Sequence, residues 1–361
     1  MSAANKVEYI VKMDQVFYPV PAYLDAIVER LSKRNWLVHN FNLSEDNDLY
    51  NPANYLQNLE FDGTRYVLIV DLNIYQFLLN IVKKPNPIPI FRDAASLLVF
   101  CQITNINIDP TFSVYEKVNY QKENLTEALP DLELFHRINN GNMDEFAKFA
   151  LEYSDSVEID NSYSLDYEGI GANLMKYKRL KEWDSLYLMI LSIIDINNNN
   201  EIPRRKKIEA FSDWMIYKFR RSLVAFVYAV VLFGDHPIKR MMKYKKNKSP
   251  EERRRAVCNM TWDLYIMNQF FRKWIKKDDN EEFLYASDDS AFCLLLREAV
   301  QVQIKQSLES IKHYMNQDEY EVSRKLLGEN LEIPGRAYDS NEWGSEYRAD
   351  LIEKYEHKLY C

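Results

Sequence analysis

The stretch Tyr66-Val-Leu-Ile-Val-Asp71 decides the fold of this chain. Its apolar run is five residues long and rich in β-branched side chains, which is typical of a central strand in a parallel sheet. A second short strand is predicted at Phe283-Leu-Tyr-Ala-Ser287, and Asp288 and Asp289 follow it directly. Helical patterns lie between the two strands, so the sequence predicts an α/β core with a central parallel sheet.

The rest of the chain predicts mainly helices around this core. The helix after Asp71 should span residues 73–82 and end at the proline-rich KPNPIP of 84–89. Asp109-Pro110 is typical of a helix start, and the helix that follows carries Glu116. Further helices are expected at 91–103, 205–233, 250–276 and 291–315. A further short strand is expected at 36–41, and residues 105–108 are either a short strand or a connector.

Five regions follow from these patterns. They are a mixed N-terminal extension (1–64), the first part of the core (65–120), a helical insertion with a basic segment (121–250), the second part of the core (251–315) and a C-terminal helical tail (316–361). The polar stretch INNNNEIPRRKK, which begins at Ile196, is the most linker-like part of the chain.

Composition indicates a globular protein, with 47% hydrophobic and 28% charged residues. The N-terminus lacks a long apolar segment, and no stretch reaches the ~18 apolar residues of a spanning helix. The four cysteines form no CxxC pair, which argues against a zinc ribbon or a thioredoxin-type motif. We therefore expect a soluble, cytoplasmic protein with reduced thiols and no membrane partner.

Charge is unevenly distributed along the chain. The net charge is −8, but residues 203–255 hold 16 Lys and Arg against 5 Asp and Glu, a local charge of +11. Such a segment can follow a phosphate backbone, although it can equally be a solvated helix face or a docking surface for a protein. The candidate nucleic-acid contacts are Lys239, Arg240, Lys243, Lys245, Lys246 and Lys248.

Carboxylates at strand ends carry the candidate chemistry. In an open parallel sheet, ligands bind beyond the carboxyl ends of the strands, where Asp71 and Asp289 are expected. Converging carboxylates raise each other's pKa, and a hard divalent cation removes that repulsion. Such a metal can activate water and stabilise the leaving oxygen of a phosphodiester.

These residues resemble the motifs of PIN-like nucleases. Asp71-Leu-Asn73 resembles the Asp-x-Asn opening of that family, and Glu116 is placed like the glutamate on an early helix. The helix segment that carries Asn259, Trp262 and Asp263 is similar to the Asn…Trp-Asp element that delivers a third acid in some larger members. Ser287-Asp288-Asp289, followed by Phe292, resembles the Thr-x-Asp…Phe element that delivers the fourth. The resemblance covers residues 65–120 and 255–310.

The resemblance implies a three-layer α/β/α fold and a nuclease that depends on Mg²⁺ or Mn²⁺ and hydrolyses single-stranded RNA or structured nucleic acid, with RNA favoured over DNA as the substrate. It implies four acids as catalytic residues and metal ligands: Asp71, Glu116, Asp263 and Asp289. Asn73, Asn259 and Ser287 would support them. A toxin or antiviral-defence effector is one biological setting for such an enzyme, with a regulatory protein partner or self-association left open.

Blander alternatives stay open at each position. Asp71 and Asp289 can be helix caps, Glu116 and Asp263 can be solvated helix acids, and Asp288 competes with Asp289 as the fourth acid. The five histidines are unpaired at metal spacing, and no Walker A or GxSxG motif occurs. The alternative function is a catalytically silent interaction or nucleic-acid-binding protein that uses the basic segment.

Overall fold

A computed structural model describes residues 6–10, 17–41, 48–176, 179–276, 280–328 and 344–361. The chain is an α/β protein that divides into two compact units. The first unit comprises Met1–Lys178 and Lys273–Cys293, and the second comprises Arg179–Arg272 and Leu294–Cys361. In the described part of the chain, no helix is both long and apolar enough to cross a membrane.

The first unit contains a four-stranded mixed sheet. Its strands are β3 (Leu37–His39), β4 (Arg65–Val70), β5 (Asn107–Asp109) and β6 (Glu281–Ala286), in the order β3-β6-β4-β5. The pairs β4–β5 and β4–β6 are parallel, whereas β3 runs antiparallel to β6. The central strands are therefore parallel as predicted, and the short antiparallel strand β3 at one edge makes the sheet mixed. A separate hairpin pairs β1 (Lys6–Ile10) with β2 (Phe17–Pro21).

Eight described helices belong to the first unit. They are α1 (Leu24–Ser32), α2 (Pro52–Asp62), α3 (Leu72–Lys83), α4 (Pro89–Thr104), α5 (Thr111–Val118), α6 (Leu125–Asn139), α7 (Met143–Ala150) and α8 (Tyr167–Met175). Every residue of α4 from Phe91 to Cys101 is buried. Leu68 and Val70 of β4 share one apolar core with Leu284 of β6, α3 and α4, which fixes the position of the strand ends.

The second unit is helical. Its helices include α9 (Trp183–Asn198), α10 (Lys207–Tyr217), α11 (Leu223–Phe233), α14 (Gln317–Gly328) and α15 (Ser345–Tyr360). Helices α12 (Pro250–Lys276) and α13 (Ser290–Lys305) each contribute residues to both units. Helix α11 is buried along most of its length, as its continuous apolar sequence predicts.

Two predicted helices are shorter than the sequence suggested. The predicted helix at 205–233 is broken between α10 and α11, where Ser222 caps α11 by accepting a hydrogen bond from the Ala225 backbone N–H. The predicted helix at 291–315 ends at Lys305, and Gln306 then adopts a left-handed φ of 48°. A 3₁₀ turn at Glu309–Tyr314 replaces its last part.

The division into units does not follow the regions proposed from the sequence. Residues 121–178 belong to the first unit, which contains the sheet. The segment 251–315 is divided between the units: Lys273–Cys293 belongs to the first, and the residues on either side belong to the second. Parts of the predicted N-terminal extension and C-terminal tail (1–5, 11–16, 42–47 and 329–343) lie outside the described residues.

Candidate active site at the strand ends

Asp71 and Ser287 lie side by side at the carboxyl ends of two neighbouring parallel strands. The last paired residues of β4 and β6 are Val70 and Ala286. The Asp71 backbone N–H donates to the Ala286 carbonyl at 3.0 Å, so the pairing continues one step into the loop. This edge of a parallel sheet is where ligands bind in open α/β folds.

The carboxylate of Asp71 is buried and hydrogen-bonded on both oxygens. Its Oδ1 accepts from the Ile74 backbone N–H at 2.7 Å, which caps α3. Its Oδ2 accepts from the Ser287 hydroxyl, and Asn73 Nδ2 lies 3.5 Å from the same oxygen. The side chain is 8% exposed. Asp71 is thus a helix cap, as the blander alternative proposed, and it also faces the Ser287 loop.

Burial raises the pKa of Asp71 to about 7. The hydrogen bonds from Ile74 and Ser287 lower this pKa, whereas the nearby negative charges of Asp288 and Asp289 raise it further. The carboxyl group is therefore half-protonated near neutral pH. A raised pKa of this kind, produced by burial together with like charges, is common at functional sites.

Ser287 links Asp71 to the loop that carries the other two acids. Its hydroxyl accepts a hydrogen bond from the Asp289 backbone N–H at 3.0 Å while it donates to Asp71. Asp289 Oδ1 accepts from the backbone N–H groups of Ala291 and Phe292, both at 3.1 Å, so Asp289 caps α13. The loop is thereby fixed against the end of β4.

Asp288 has a different environment from Asp289. It is exposed, and its Oδ1 accepts from Trp36 Nε1 at 2.8 Å. Trp36 precedes β3, and its carbonyl accepts from the Ser287 backbone N–H at 3.2 Å. The edge strand thus holds the acidic loop in place, which sequence patterns did not indicate.

Glu116 lies on a helix that is bonded to the same strand end. On α5, the Ser113 hydroxyl donates to the Val70 carbonyl at 2.6 Å, one residue before Asp71. Residues three apart share a helix face, so Glu116 lies on the side of α5 that carries Ser113. Glu116 is half-buried. Ser113 was not predicted from the sequence, although its spacing from Glu116 could have suggested it.

Asp263 and Asn259 belong to the second unit, unlike the other predicted residues of the site. Both lie on α12 at positions i and i+4 and therefore share a face of that helix. The ammonium group of Lys243 donates to Asp263 Oδ2 at 2.6 Å, and both side chains are about one-quarter exposed. Asp263 is therefore ion-paired with one of the predicted phosphate contacts.

The donor set at the strand ends suits a hard cation with few protein ligands. Among the residues that the structure describes, no group of three or more His, Cys, Asp or Glu side chains is arranged to hold a metal. Mg²⁺, however, commonly binds through one or two carboxylates while it keeps several waters and binds substrate phosphates. Asp71, whose buried carboxyl group is repelled by two neighbouring acids, fits that mode of binding.

Most predicted nucleic-acid contacts lie on exposed positions of the second unit. Lys239, Arg240, Lys245, Lys246 and Lys248 are exposed, and Lys243 is half-buried. Lys248 is ion-paired with Glu252 at 3.0 Å. Because Lys243 and Lys248 pair with acids, the segment offers less unpaired positive charge than its composition suggests.

Comparison with protein-family models, curated proteins and solved structures gives no match to this chain. The likeness to PIN-like nucleases therefore depends on the residues named above.

Proposed function

We propose that this chain is a metal-dependent endonuclease whose active site lies at the carboxyl ends of β4 and β6. The observation that carries the proposal is the buried Asp71 carboxyl group, which receives the Ser287 hydroxyl hydrogen bond and has two further acids nearby. RNA is the proposed substrate, following the resemblance to PIN-like nucleases. A role as a toxin or defence effector is part of the same proposal.

Each residue has a proposed part in this site. Asp71 and Asp289 hold the cation, and Ser287 and Asn73 orient the Asp71 carboxylate. On the resemblance, Asp263 remains a proposed metal ligand, and Glu116 a ligand either directly or through water. A bound Mg²⁺ or Mn²⁺ would activate water for attack on the phosphodiester and stabilise the leaving oxygen.

A cleavage assay tests the proposal. The full chain is incubated with single-stranded RNA in EDTA, in Mg²⁺ and in Mn²⁺, and the products are resolved by length. We expect internal cleavage with metal and none with EDTA. Intact RNA under all three conditions would instead favour the alternative, a catalytically silent binding protein.

Metal should stabilise the folded chain. A cation that binds only the native state adds about 2.7 kcal/mol at a concentration 100-fold above its Kd. Thermal melting with increasing Mg²⁺ should show this rise in Tm, and the rise should be absent from the Asp71→Asn, Asp289→Asn double mutant. An equal rise in both proteins would place the metal elsewhere.

Single substitutions should show whether Asp289 or Asp288 is the fourth acid of the site. Asn retains a side-chain oxygen that can cap a helix, so Asp289→Asn preserves the start of α13 while it removes a negative charge. We expect a loss of cleavage rate of about 100-fold in Asp289→Asn, the upper range for groups that support a metal site. Asp288→Asn should cleave at the parental rate. If Asp288→Asn loses activity and Asp289→Asn does not, Asp288 is the fourth acid.

A further inference from the structure

A basic pocket lies in the second unit, whereas the acidic residues at the strand ends belong to the first. It lies at the end of α11 and the segment 237–242, and its volume is about 550 Å³. Four cationic side chains line it, and no Asp or Glu does: Arg204, Lys207, Lys239 and Arg240. Leu232 and Ile238 add apolar surface to the same pocket. A volume in this range is typical of sites for small molecules.

Neutral carbonyl groups hold two of the cations in place. Arg204 Nε donates to the Phe233 carbonyl at 3.1 Å, and another nitrogen of its guanidinium group donates to the Gly234 carbonyl. Lys207 Nζ donates to the Asn197 carbonyl at 2.5 Å. Carbonyl oxygens orient a cation without neutralising it, so these groups keep their positive charge for a ligand.

The four cations lack carboxylate partners. Within the described ranges, none of them lies within ion-pair distance of an Asp or Glu. The buried Glu319 is close enough to be influenced by the charge of Arg204, but burial raises the pKa of Glu319 and weakens that compensation. Four cations around one pocket therefore remain largely uncompensated.

Lys207 is repelled by the positive charges of Arg204, which lines the pocket, and of Lys246, which does not. Burial lowers the pKa of Lys207, and the charges of Arg204 and Lys246 lower it further. A bound anion would raise the pKa of Lys207 and so offset the repulsion from Arg204 and Lys246. The pocket thus has unfavourable charge repulsion that an anionic ligand removes.

The backbone at Arg240 is strained. Arg240 has a φ of 72°, in the left-handed region that favours glycine, and its side chain lines the pocket. Strained residues that are not glycine cluster at ligand-binding sites, where function outweighs the local cost. The described part of the chain has eight non-glycine residues with positive φ, and Arg240 is the one whose side chain lines this pocket.

We propose that this pocket binds the phosphate monoester of a nucleotide-sized ligand. A phosphate monoester carries a charge of about −1.5 to −2 at neutral pH and three acceptor oxygens, which matches a group of guanidinium and ammonium donors. Leu232 and Ile238 would contact the organic part. The ligand is either a free mononucleotide or the phosphorylated end of a nucleic-acid strand. This inference does not depend on the proposed nuclease activity.

Calorimetry on the full chain distinguishes these sources. The probes are AMP, adenosine, inorganic phosphate, and a short oligonucleotide with either a 5′-phosphate or a 5′-hydroxyl. We expect AMP or the 5′-phosphorylated strand to bind, and adenosine and the 5′-hydroxyl strand to bind at least about tenfold more weakly, because the charged hydrogen bonds are lost. AMP alone would identify a free nucleotide, and the strand alone would identify a strand end.

Three variants locate the binding. Arg240→Gly removes the guanidinium and relieves the left-handed backbone, and Lys207→Met removes the ammonium but keeps the aliphatic stem. Each should weaken binding at least about tenfold. Lys206→Met is the matched control, because Lys206 neighbours Lys207 but pairs with Glu209 at 2.6 Å and does not line the pocket.

Several results would overturn this proposal. They are no binding of any phosphorylated probe, adenosine binding as tightly as AMP, inorganic phosphate binding as tightly as AMP, or the same loss in Lys206→Met as in the two pocket variants. Thermal melting of each variant shows that the chain is folded when its binding is measured.

Discussion

Replacing Asp71 by Asn should reduce cleavage of single-stranded RNA about 100- to 1000-fold, the range found when one electrostatic group at a reaction centre is removed. The substitution keeps the size of the side chain. Its amide oxygen can still accept the hydrogen bond from the Ile74 N–H that caps α3. The loss would therefore come from the missing negative charge rather than from an altered fold.

A matched control separates charge at the site from helix capping. Asp166 caps α8 in the first unit by accepting a hydrogen bond from the Gly169 N–H at 2.9 Å, as Asp71 does from Ile74 in α3. Asp166→Asn makes the same chemical change at the cap of a different helix. It should cleave RNA at the parental rate. Parental cleavage by well-folded Asp71→Asn would remove Asp71 from the catalytic site.

The strand ends were predictable because local sequence dictates them. The apolar run before Asp71 can be buried on both faces only as a central strand, and β4 spans Arg65–Val70 in the structure. The run before Asp289 forms β6 for the same reason. Helix α3 then begins where Asp71 can cap it. These features depend on a few neighbouring residues each.

The link between the two strand ends could not be predicted in the same way. Asp71 and Ser287 are 216 positions apart, and they meet only because β4 and β6 are neighbours in the sheet. Strand order depends on how the whole unit packs, and periodicity carries no information about it. The sequence placed Asp71 and Asp289 at the strand ends of one sheet, but it did not show that the two strands are neighbours.

The basic segment shows a second limit of composition. A count of charges treats every lysine as available, but Lys243 pairs with Asp263 and Lys248 pairs with Glu252. The pocket around Arg204 and Arg240 is equally invisible in the sequence, because it forms where the end of α11 meets the chain on either side. Net charge predicts attraction to a polyanion but not which groups remain unpaired.

Asp71 should make a contribution to the stability of the chain that falls as pH rises from about 4 to about 8. Its pKa is raised from 3.8 to about 7 on folding, so between these values the folded state binds more protons than the unfolded state. Stability then decreases with pH, and the loss is complete above the folded pKa. At 1.36 kcal/mol per pKa unit, the change attributable to Asp71 is about 4 kcal/mol.

Asp71→Asn isolates this contribution, because Asn cannot titrate and every other group is common to both proteins. Urea titrations in EDTA would give the free energy of unfolding of each protein between pH 4.5 and 8. As pH rises, the free energy of unfolding of the mutant should increase relative to that of the parent. The mutant should be the more stable protein at pH 8, because it does not bury a charge beside Asp288 and Asp289. Residues selected for activity commonly reduce stability in this way. If the difference in free energy of unfolding between the two proteins stays constant with pH, Asp71 titrates normally. Its carboxylate would then not be destabilised by burial beside Asp288 and Asp289.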